Sequence, residues 1–413
     1  MSEMKKVLMI AFPFPPFGVG ETIRTMKFIK YLPENGWKPI VLTLASSQES
    51  DLSSYKELLV YRVPCSKKAM SGGLKQYEPP KVSPFILSAK RWVMIPDGLM
   101  WWIPFAINAG VCIAKKRGID AIYSVSPHYS CHLVALWVSR NLRIPWVADF
   151  KDPWTTNPFE RYPTKLHKKL NFFLEKRVID SADRVVTISE PIKEDFIFNH
   201  PNTREKFSVI TNGFDLDDFK NLKEKNKDRN KITIVHTGSL YGLRDPTTFL
   251  KAVSIIKKLD SELAKKLKII FVGKSEKDIK SLAKDFDISE LAEIVPSVPH
   301  EESLQYQVDS DILLLITGPG KGTVTGKVFE YMALGKPIIA LTDEDSFIAD
   351  ILRKTNLGFI SDASNVEKIS DILTSVCKMV LEKNLPKPNR EEINKYERKN
   401  ITKELVKIFN ELS

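Results

Sequence analysis

The chain has 413 residues, enough for two or three domains with substantial cores. Apolar residues make up 43% and charged residues 27%, a globular composition that excludes a disordered or fibrous chain. The net charge of +11 is uneven: residues 1–200 hold 28 Lys and Arg against 18 Asp and Glu, and the rest hold 34 against 33. The first half therefore either favours an anionic partner, such as a membrane surface, a polyprenyl phosphate or nucleic acid, or is simply a soluble basic surface.

Cys65, Cys112, Cys131 and Cys377 are scattered, with no CxxC and no histidine cluster. That pattern points to reduced thiols in a cytoplasmic chain rather than to a disulfide framework or a zinc site. The basic and then apolar start, MSEMKKVLMIAF, is cut short by Pro13, Pro15 and Pro16 and reads as a first strand over 7–12. A PPFGVGE loop follows, then a helix over 22–32 with Ile23, Met26, Ile29 and Tyr31 broadly toward the core, then a strand over 38–44. Gly18 and Gly20 before a helix suggest either a tight turn or a close backbone approach to a ligand, with Arg24 on the first helical turn behind them. No acidic residue closes the second strand where a ribose would need one, which argues against a nicotinamide enzyme.

Residues 52–91 read as an irregular excursion rich in Gly and Pro. Residues 92–114 are the most apolar stretch, but Pro96, Asp97 and Pro104 interrupt it, so a buried helix is expected rather than a membrane span. Alternation resumes from Asp120: a strand AIYSVS, a helix through His132 to Asn141, a strand IPWVADF and a KDPW turn. Asp149, Lys151 and Asp152 follow a strand's carboxyl end, where open α/β sheets place their ligands, and His128 and His132 stand nearby. Next come a basic helix over 165–179, a strand RVVTIS, and a helix opened by Ser189 with Pro191 in its first turn. Residues 216–230 are charged and nearly free of apolar side chains, and read as an interdomain linker.

The second domain begins with the strand KITIVHTGS. A loop over 238–244 carries Gly238, Ser239 and Arg244, and Asp245 should cap the helix that follows. Arg244 offers its guanidinium fork to a diphosphate, or else pairs with Asp245. After strands over 267–273 and 292–298, Ser297 and Val298 precede PHEES and a helix. Residues 311–316 (DILLLI) form a buried strand, GPGKG a loop, and a helix begins at Thr325 with Val328, Phe329, Met332 and Ala333 toward a core. Gly335 ends it, and Pro337 precedes a strand over 338–341. Lys327 and Glu330 share one face near that helix start, where free N–H groups favour an anion. They fit either a phosphate and a ribose diol or an ordinary surface ion pair, and spacing alone leaves both open. The final helix, over 392–412, carries Tyr396, Ile401, Leu405, Ile408 and Phe409.

Lys327, Phe329, Glu330, Tyr331, Met332, Ala333, Gly335, Lys336 and Pro337 resemble the nucleotide-sugar signature of retaining glycosyltransferases of the GT-B fold, family 4. SPHYSCHLVAL followed by DFKDPW resembles a branch that makes bacterial and archaeal surface glycans. The resemblance implies an α/β, GT-B architecture: an acceptor domain over 1–215, completed by about 394–413, a linker over 216–230 and a nucleotide-sugar domain over 231–393. The two Rossmann-like domains would face each other across a cleft, with the C-terminal helix crossing back to the first. It further implies retaining transfer from a nucleoside-diphosphate sugar to a glycan or polyprenyl-linked acceptor, without a metal or other cofactor; nucleic acid is not an expected partner, because the basic residues lack the regularly interleaved aromatics of a stacking platform. The location would be cytoplasmic, with peripheral contact to an anionic membrane through the basic first domain.

On that resemblance Glu330 holds the donor ribose. Gly238, Ser239, Arg244, Val298, Gly322, Thr323, Val324 and Lys327 complete the donor site. Gly18, Gly20, Arg24, His128, Asp149 and Lys151 lie on the acceptor side. Asp152 is the candidate acceptor-side catalytic group, and His132 is a second candidate. The family often has a glutamate eight positions before Glu330, where this chain has Gly322, and a histidine where it has Lys151. A nucleotide-sugar 2-epimerase acting on UDP-GlcNAc, or a non-catalytic glycan-binding or scaffold protein of the same fold, are the alternatives.

Overall fold

The computed structural model of the chain describes residues 3–17, 19–46, 52, 55, 58–65, 94–157, 160–225, 228, 230–318, 320, 322 and 324–413. The chain forms two units, Met1–Thr211 with Ile401–Ser413, and Asn212–Asn400. Residues 212–215, expected in the first domain, belong to the second unit, because Phe214 is buried in the second unit's core against Leu313, Phe329 and Ile393.

The first unit alternates strand and helix: β1 (Lys5–Ala11), α1 (Val19–Tyr31), β2 (Trp37–Leu44), β3 (Leu59–Val63), α2 (Ile103–Arg117), β4 (Ala121–Val125), α3 (Ser130–Leu142), β5 (Trp146–Phe150), α4 (Lys165–Ser181), β6 (Arg184–Thr187), α5 (Glu190–Asn199) and β7 (Phe207–Val209). Its seven strands are all parallel, in the order β3-β2-β1-β4-β5-β6-β7. Helices cover both faces of such a sheet, which is why VLMIA in β1 is buried at every position instead of alternating with polar residues. The second unit continues with β8 (Ile232–Thr237), α6 (Thr247–Leu259), α7 (Ser261–Lys266), β9 (Leu267–Val272), α8 (Ile279–Asp285), β10 (Ala292–Val295), α9 (His300–Asp309), β11 (Ile312–Ile316), α10 (Lys327–Leu334), β12 (Ile338–Leu341), α11 (Phe347–Lys354), β13 (Gly358–Ser361), α12 (Val366–Glu382) and α13 (Arg390–Asn394); the last helix, α14 (Arg398–Leu412), belongs to the first unit from Ile401 onward. Its parallel sheet runs β10-β9-β8-β11-β12-β13.

Each unit is therefore Rossmann-like, doubly wound, with one reversal of strand order: between β1 and β4 in the first, and between β8 and β11 in the second. Ligands of such sheets bind beyond the strands' carboxyl ends at that reversal. The terminal segment joins the first unit because its apolar stripe, Ile401, Leu405, Ile408 and Phe409, enters that core. There the Phe409 ring lies 5.0 Å from Trp37, whose indole N–H donates to Asn410 at 3.1 Å.

Several expectations need correction. The excursion over 52–91 contains a strand, β3, which pairs with β2 and whose residues are all half-buried. The rest of that stretch lies largely outside the described residues. The apolar stretch 92–114 yields a helix only from Ile103, where Pro104 suits the first turn. The two tryptophans before it part company, Trp102 buried and Trp101 exposed. The last helix is broken: Phe214 donates its N–H to the Tyr396 carbonyl at 3.0 Å and accepts from the Arg398 N–H at 2.7 Å, so between α13 and α14 the chain makes a turn and a β-bridge at Glu397. In α1, Ile23 is only half-buried, while Thr22, Arg24 and Thr25 are buried.

Candidate active site

In the second unit the reversal brings together the ends of β8 and β11, the helix α10 and the neighbouring α9. The helix starts at Lys327, one turn past the Gly-rich loop, and ends in Gly335, whose φ of 66° puts it in the left-handed region. Val328, Phe329, Tyr331 and Met332 are buried beneath it, which fixes Lys327 and Glu330 on the remaining face. Glu330 is the hub. One carboxylate oxygen accepts from Lys327 Nζ at 2.8 Å and Gln307 Nε2 at 2.9 Å, and the other lies 3.1 Å from His300 Nε2. Burial works to raise its pKa, but His300 and Lys327 outweigh it and hold the carboxyl at about 2. The ion pair considered from spacing is thus present, as part of a larger network.

Behind the hub, Gln307 also donates to Thr237 Oγ1 at 3.0 Å, and the Thr237 N–H donates to the Tyr331 hydroxyl at 2.9 Å. Burial pushes that hydroxyl's pKa up to about 12, so it stays protonated. His236, one residue earlier, is buried with Nδ1 3.0 Å from the Leu314 carbonyl. Burial lowers its pKa to about 4, the Leu314 carbonyl opposes this, and the charges of Lys327 and Arg244 lower it further. Both cations therefore act on the carboxyl end of β8. Arg244 lies over the Tyr241 ring, its guanidinium carbon 5.0 Å from the centroid. Asp245 does not claim it, being bound to Lys277 at 2.5 Å and to the Thr247 N–H at 2.9 Å; the helix starts at Thr247 with Pro246 in the capping position, one residue later than expected.

Gly238 has φ 137° and sits against Gly273, φ 136°; a Cβ on Gly273 would collide with the Gly238 carbonyl oxygen. Ser239 is exposed. Val298 packs toward Val235, Ile270 and Val272, and Val324 against the core under α10. Gly322 lies in a turn, and Thr323 lies outside the described residues. His300, Gln307, Thr237 and Tyr331 were not expected as site residues. PHEES was visible as a loop, but nothing in its spacing ties it to a helix some thirty positions on.

In the first unit the predicted acceptor-side residues separate into two groups. Arg24 and Asp149 are 2% and 0% exposed and bind each other at 2.8 Å; Arg24 also donates to the carbonyls of Ile210 and Thr211. The Tyr123 hydroxyl donates to the same Asp149 oxygen. These two are interior structural residues, which corrects their assignment to a ligand surface. His132 is corrected likewise: its ring is sealed in the core beside Phe150, with Nδ1 2.7 Å from Ser124 Oγ, and burial holds its pKa at about 3.

The remaining residues stay within reach of solvent. Asp152 is exposed; burial by surrounding groups raises its pKa while Lys151 pulls the other way. Lys151 Nζ donates to the Glu21 carbonyl at 2.9 Å, and burial lowers its pKa. Gly20 opens α1 with free space where a Cβ would lie, and Gly18 is outside the described residues. His128, in the left-handed region at φ 73°, packs edge-on to Phe12 with Nδ1 3.9 Å from Asp97. It borders a cavity of about 420 Å³ whose walls include Tyr129 and Trp154, stacked 4.2 Å apart, together with Tyr162 and His167.

Two family models match in tandem: Glycosyltransferase Family 4 over residues 20–218, and Glycosyl transferases group 1 over residues 217–400. An uncharacterized glycosyltransferase of Haemophilus influenzae is 27% identical over 218 residues, 52% of this chain and 57% of that relative. The chain thus spans a little over half the length of that curated relative. Among solved structures, a glycosyltransferase from Rickettsia africae superimposes with TM-score 0.66 at 15% identity, covering 99% of this chain and 98% of that one. Anabaena HepE, crystallised with UDP, does so with TM-score 0.67 at 14% identity over 99% and 100%. With two Rossmann-like units and the two family models in register with them, the chain belongs to glycosyltransferase family 4, with the GT-B fold.

Proposed function

We propose that this chain transfers a sugar, with retention of configuration, from a nucleoside-diphosphate sugar bound in the second unit to a glycan or lipid-linked acceptor used in cell-surface polysaccharide synthesis. The observation that carries this is the Glu330 hub at the start of α10. A carboxylate has about four lone-pair sites, and the network uses three, so an acceptor site remains for a ribose hydroxyl. Lys327 pairs with the hub itself, and Arg244, over the Tyr241 ring, acts with it on the same strand end. Their charges and the α10 N-terminus would neutralise the leaving diphosphate as the glycosidic bond breaks, without help from a metal. UDP is the favoured nucleotide, since HepE of the same fold was crystallised with it.

On the acceptor side, Asp152 is accessible, and its raised pKa makes it a better proton acceptor than an ordinary carboxylate. His128 and the cavity beside it are the proposed seat of the acceptor. We place the enzyme on the cytoplasmic side of a membrane, with its basic first unit toward an anionic surface. Among the described residues no helix is long and apolar enough to cross one.

Calorimetric titration with UDP, GDP, ADP and CDP tests the donor site. One nucleotide should bind, and Glu330→Ala should weaken it at least tenfold, about 1.4 kcal/mol. Absence of binding by all four would end the proposal.

A further inference from the structure

Helix α4 has two contrasting faces. Its inner face is fastened to the first unit by buried polar contacts: Asn171 accepts from Trp154 Nε1 at 3.0 Å, and Glu175 accepts from the Thr155 N–H at 2.8 Å and lies 2.8 Å from His200 Nε2. Val178 and Ile179 complete the buried stripe. The outer face is apolar where water should favour polar groups. Leu166, Leu170 and Phe173, at helical spacing, are 63%, 42% and 54% exposed. Lys165, Lys169, Lys176 and Arg177 accompany this stripe, and the one exposed acid on the helix, Asp180, is paired with Lys176. Arg177 lies over the Phe173 ring, 5.3 Å from its centroid, keeping its charge beside the apolar stripe.

We infer that the outer face of α4 is a docking surface for an anionic lipid bilayer, with Leu166, Leu170 and Phe173 entering the headgroup boundary and Lys165, Lys169 and Arg177 meeting lipid phosphates. An apolar stripe with basic flanks is the pattern of an interfacial helix lying in the membrane plane. The charge also argues against a second copy of the chain as occupant. A two-fold contact through this face would set two basic faces against each other, with Asp180, already paired to Lys176, as the one exposed acid on each helix. The helix that carries the stripe lends His167 and Asn171 to the cavity wall, so docking would bring that cavity to the lipid surface. This names the surface behind the membrane contact proposed above and rests on that contact, not on the transfer reaction.

The test is cosedimentation of the full chain with vesicles of phosphatidylcholine alone, or of phosphatidylcholine with phosphatidylglycerol, in the absence of nucleotide. Wild type should bind the anionic vesicles at least tenfold more tightly than the neutral ones. Leu166→Ser/Leu170→Ser/Phe173→Ser and Lys165→Glu/Lys169→Glu/Arg177→Glu should each lose at least tenfold while keeping the wild-type melting temperature. Phe173→Trp, which preserves the apolar face, should add emission over wild type that brominated acyl chains quench. Equal binding to both vesicle types, binding that survives either triple substitution, or added emission from the Phe173→Trp variant that stays unquenched would overturn the assignment. So would a concentration-dependent dimer abolished by the serine substitutions in a chain that binds no vesicles. Failure of nucleotide binding or turnover would leave the vesicle result standing.

Discussion

Arg24 and Asp149, 125 positions apart in the sequence, meet at 2.8 Å in the interior of the first unit, tying α1 to the end of β5. Each guanidinium nitrogen donates, Nε to Asp149 and the other two to the carbonyls of Thr211 and Ile210. Removing one partner would strand a charge away from water. Arg24→Met or Asp149→Leu should therefore lower the unfolding free energy by about 3–5 kcal/mol. The double substitution should cost clearly less than the sum, because no charge is left unpaired. Urea titration of the three variants checks this, and strictly additive losses would show that the two groups are not coupled.

The depressed pKa of Glu330 makes stability depend on acid. A folded-state value of about 2 against an ordinary 4.5 contributes stabilisation that is fully present above pH 4.5 and lost as pH falls toward 2. The size is on the order of 3 kcal/mol. Glu330→Gln should be less stable than wild type near neutral pH, and the gap should narrow steadily below pH 4.5. Denaturation curves across that range read it directly; a constant gap would mean that the carboxylate's charge is not what the network needs.

Gly273 is the position where one methyl group should do the most harm. Its φ of 136° is unfavourable for an alanine, and the added Cβ has no room beside the Gly238 carbonyl oxygen. Gly273→Ala should cost about 2–3 kcal/mol and, by displacing the Gly238 loop, weaken nucleotide binding at least tenfold. Gly242→Ala is the comparison. It sits at φ 57° with open space around it and should cost about 1 kcal/mol with little change in affinity. Melting curves and nucleotide titration on both variants decide the matter.

Asp152→Asn should reduce turnover with donor and acceptor by about 10²-fold or more while leaving nucleotide affinity unchanged. Intact turnover would remove Asp152 from the chemistry. Donor incubated without acceptor should yield no epimerised sugar, and an epimer in that control would favour the isomerase alternative.

The fold was legible because its signals are local. Fully apolar runs as short as VLMIA and ILLLI, bounded by loop residues, suit strands buried on both faces, and Gly335 with Pro337 marks the end of α10 without reference to anything distant. β3 escaped because LVYRV is short and half-buried, and so lacks the continuous apolar run of its neighbours. In the site, Lys327 and Glu330 could be paired from helical spacing, whereas His300 and Gln307 reach Glu330 from another helix, a meeting that only sheet topology creates. Arg24 and Asp149 misled for the same reason. Charged residues near strand ends suggest ligand contacts, and only the folded chain reveals that these two satisfy each other.

Thr237 stands at the last position of β8, and both of its hydrogen-bonding handles are already held, the N–H by Tyr331 and the hydroxyl by Gln307. One partner comes from α10 and the other from α9, so the strand end, the two helices and Glu330 form a single braced frame. The rotamer freedom of these groups is surrendered when the chain folds, not when a ligand arrives. Nucleotide capture at this edge should then behave as docking onto a finished surface, with an association rate set by diffusive encounter and by the pull of Lys327 and Arg244, and with little heat or delay from local rearrangement.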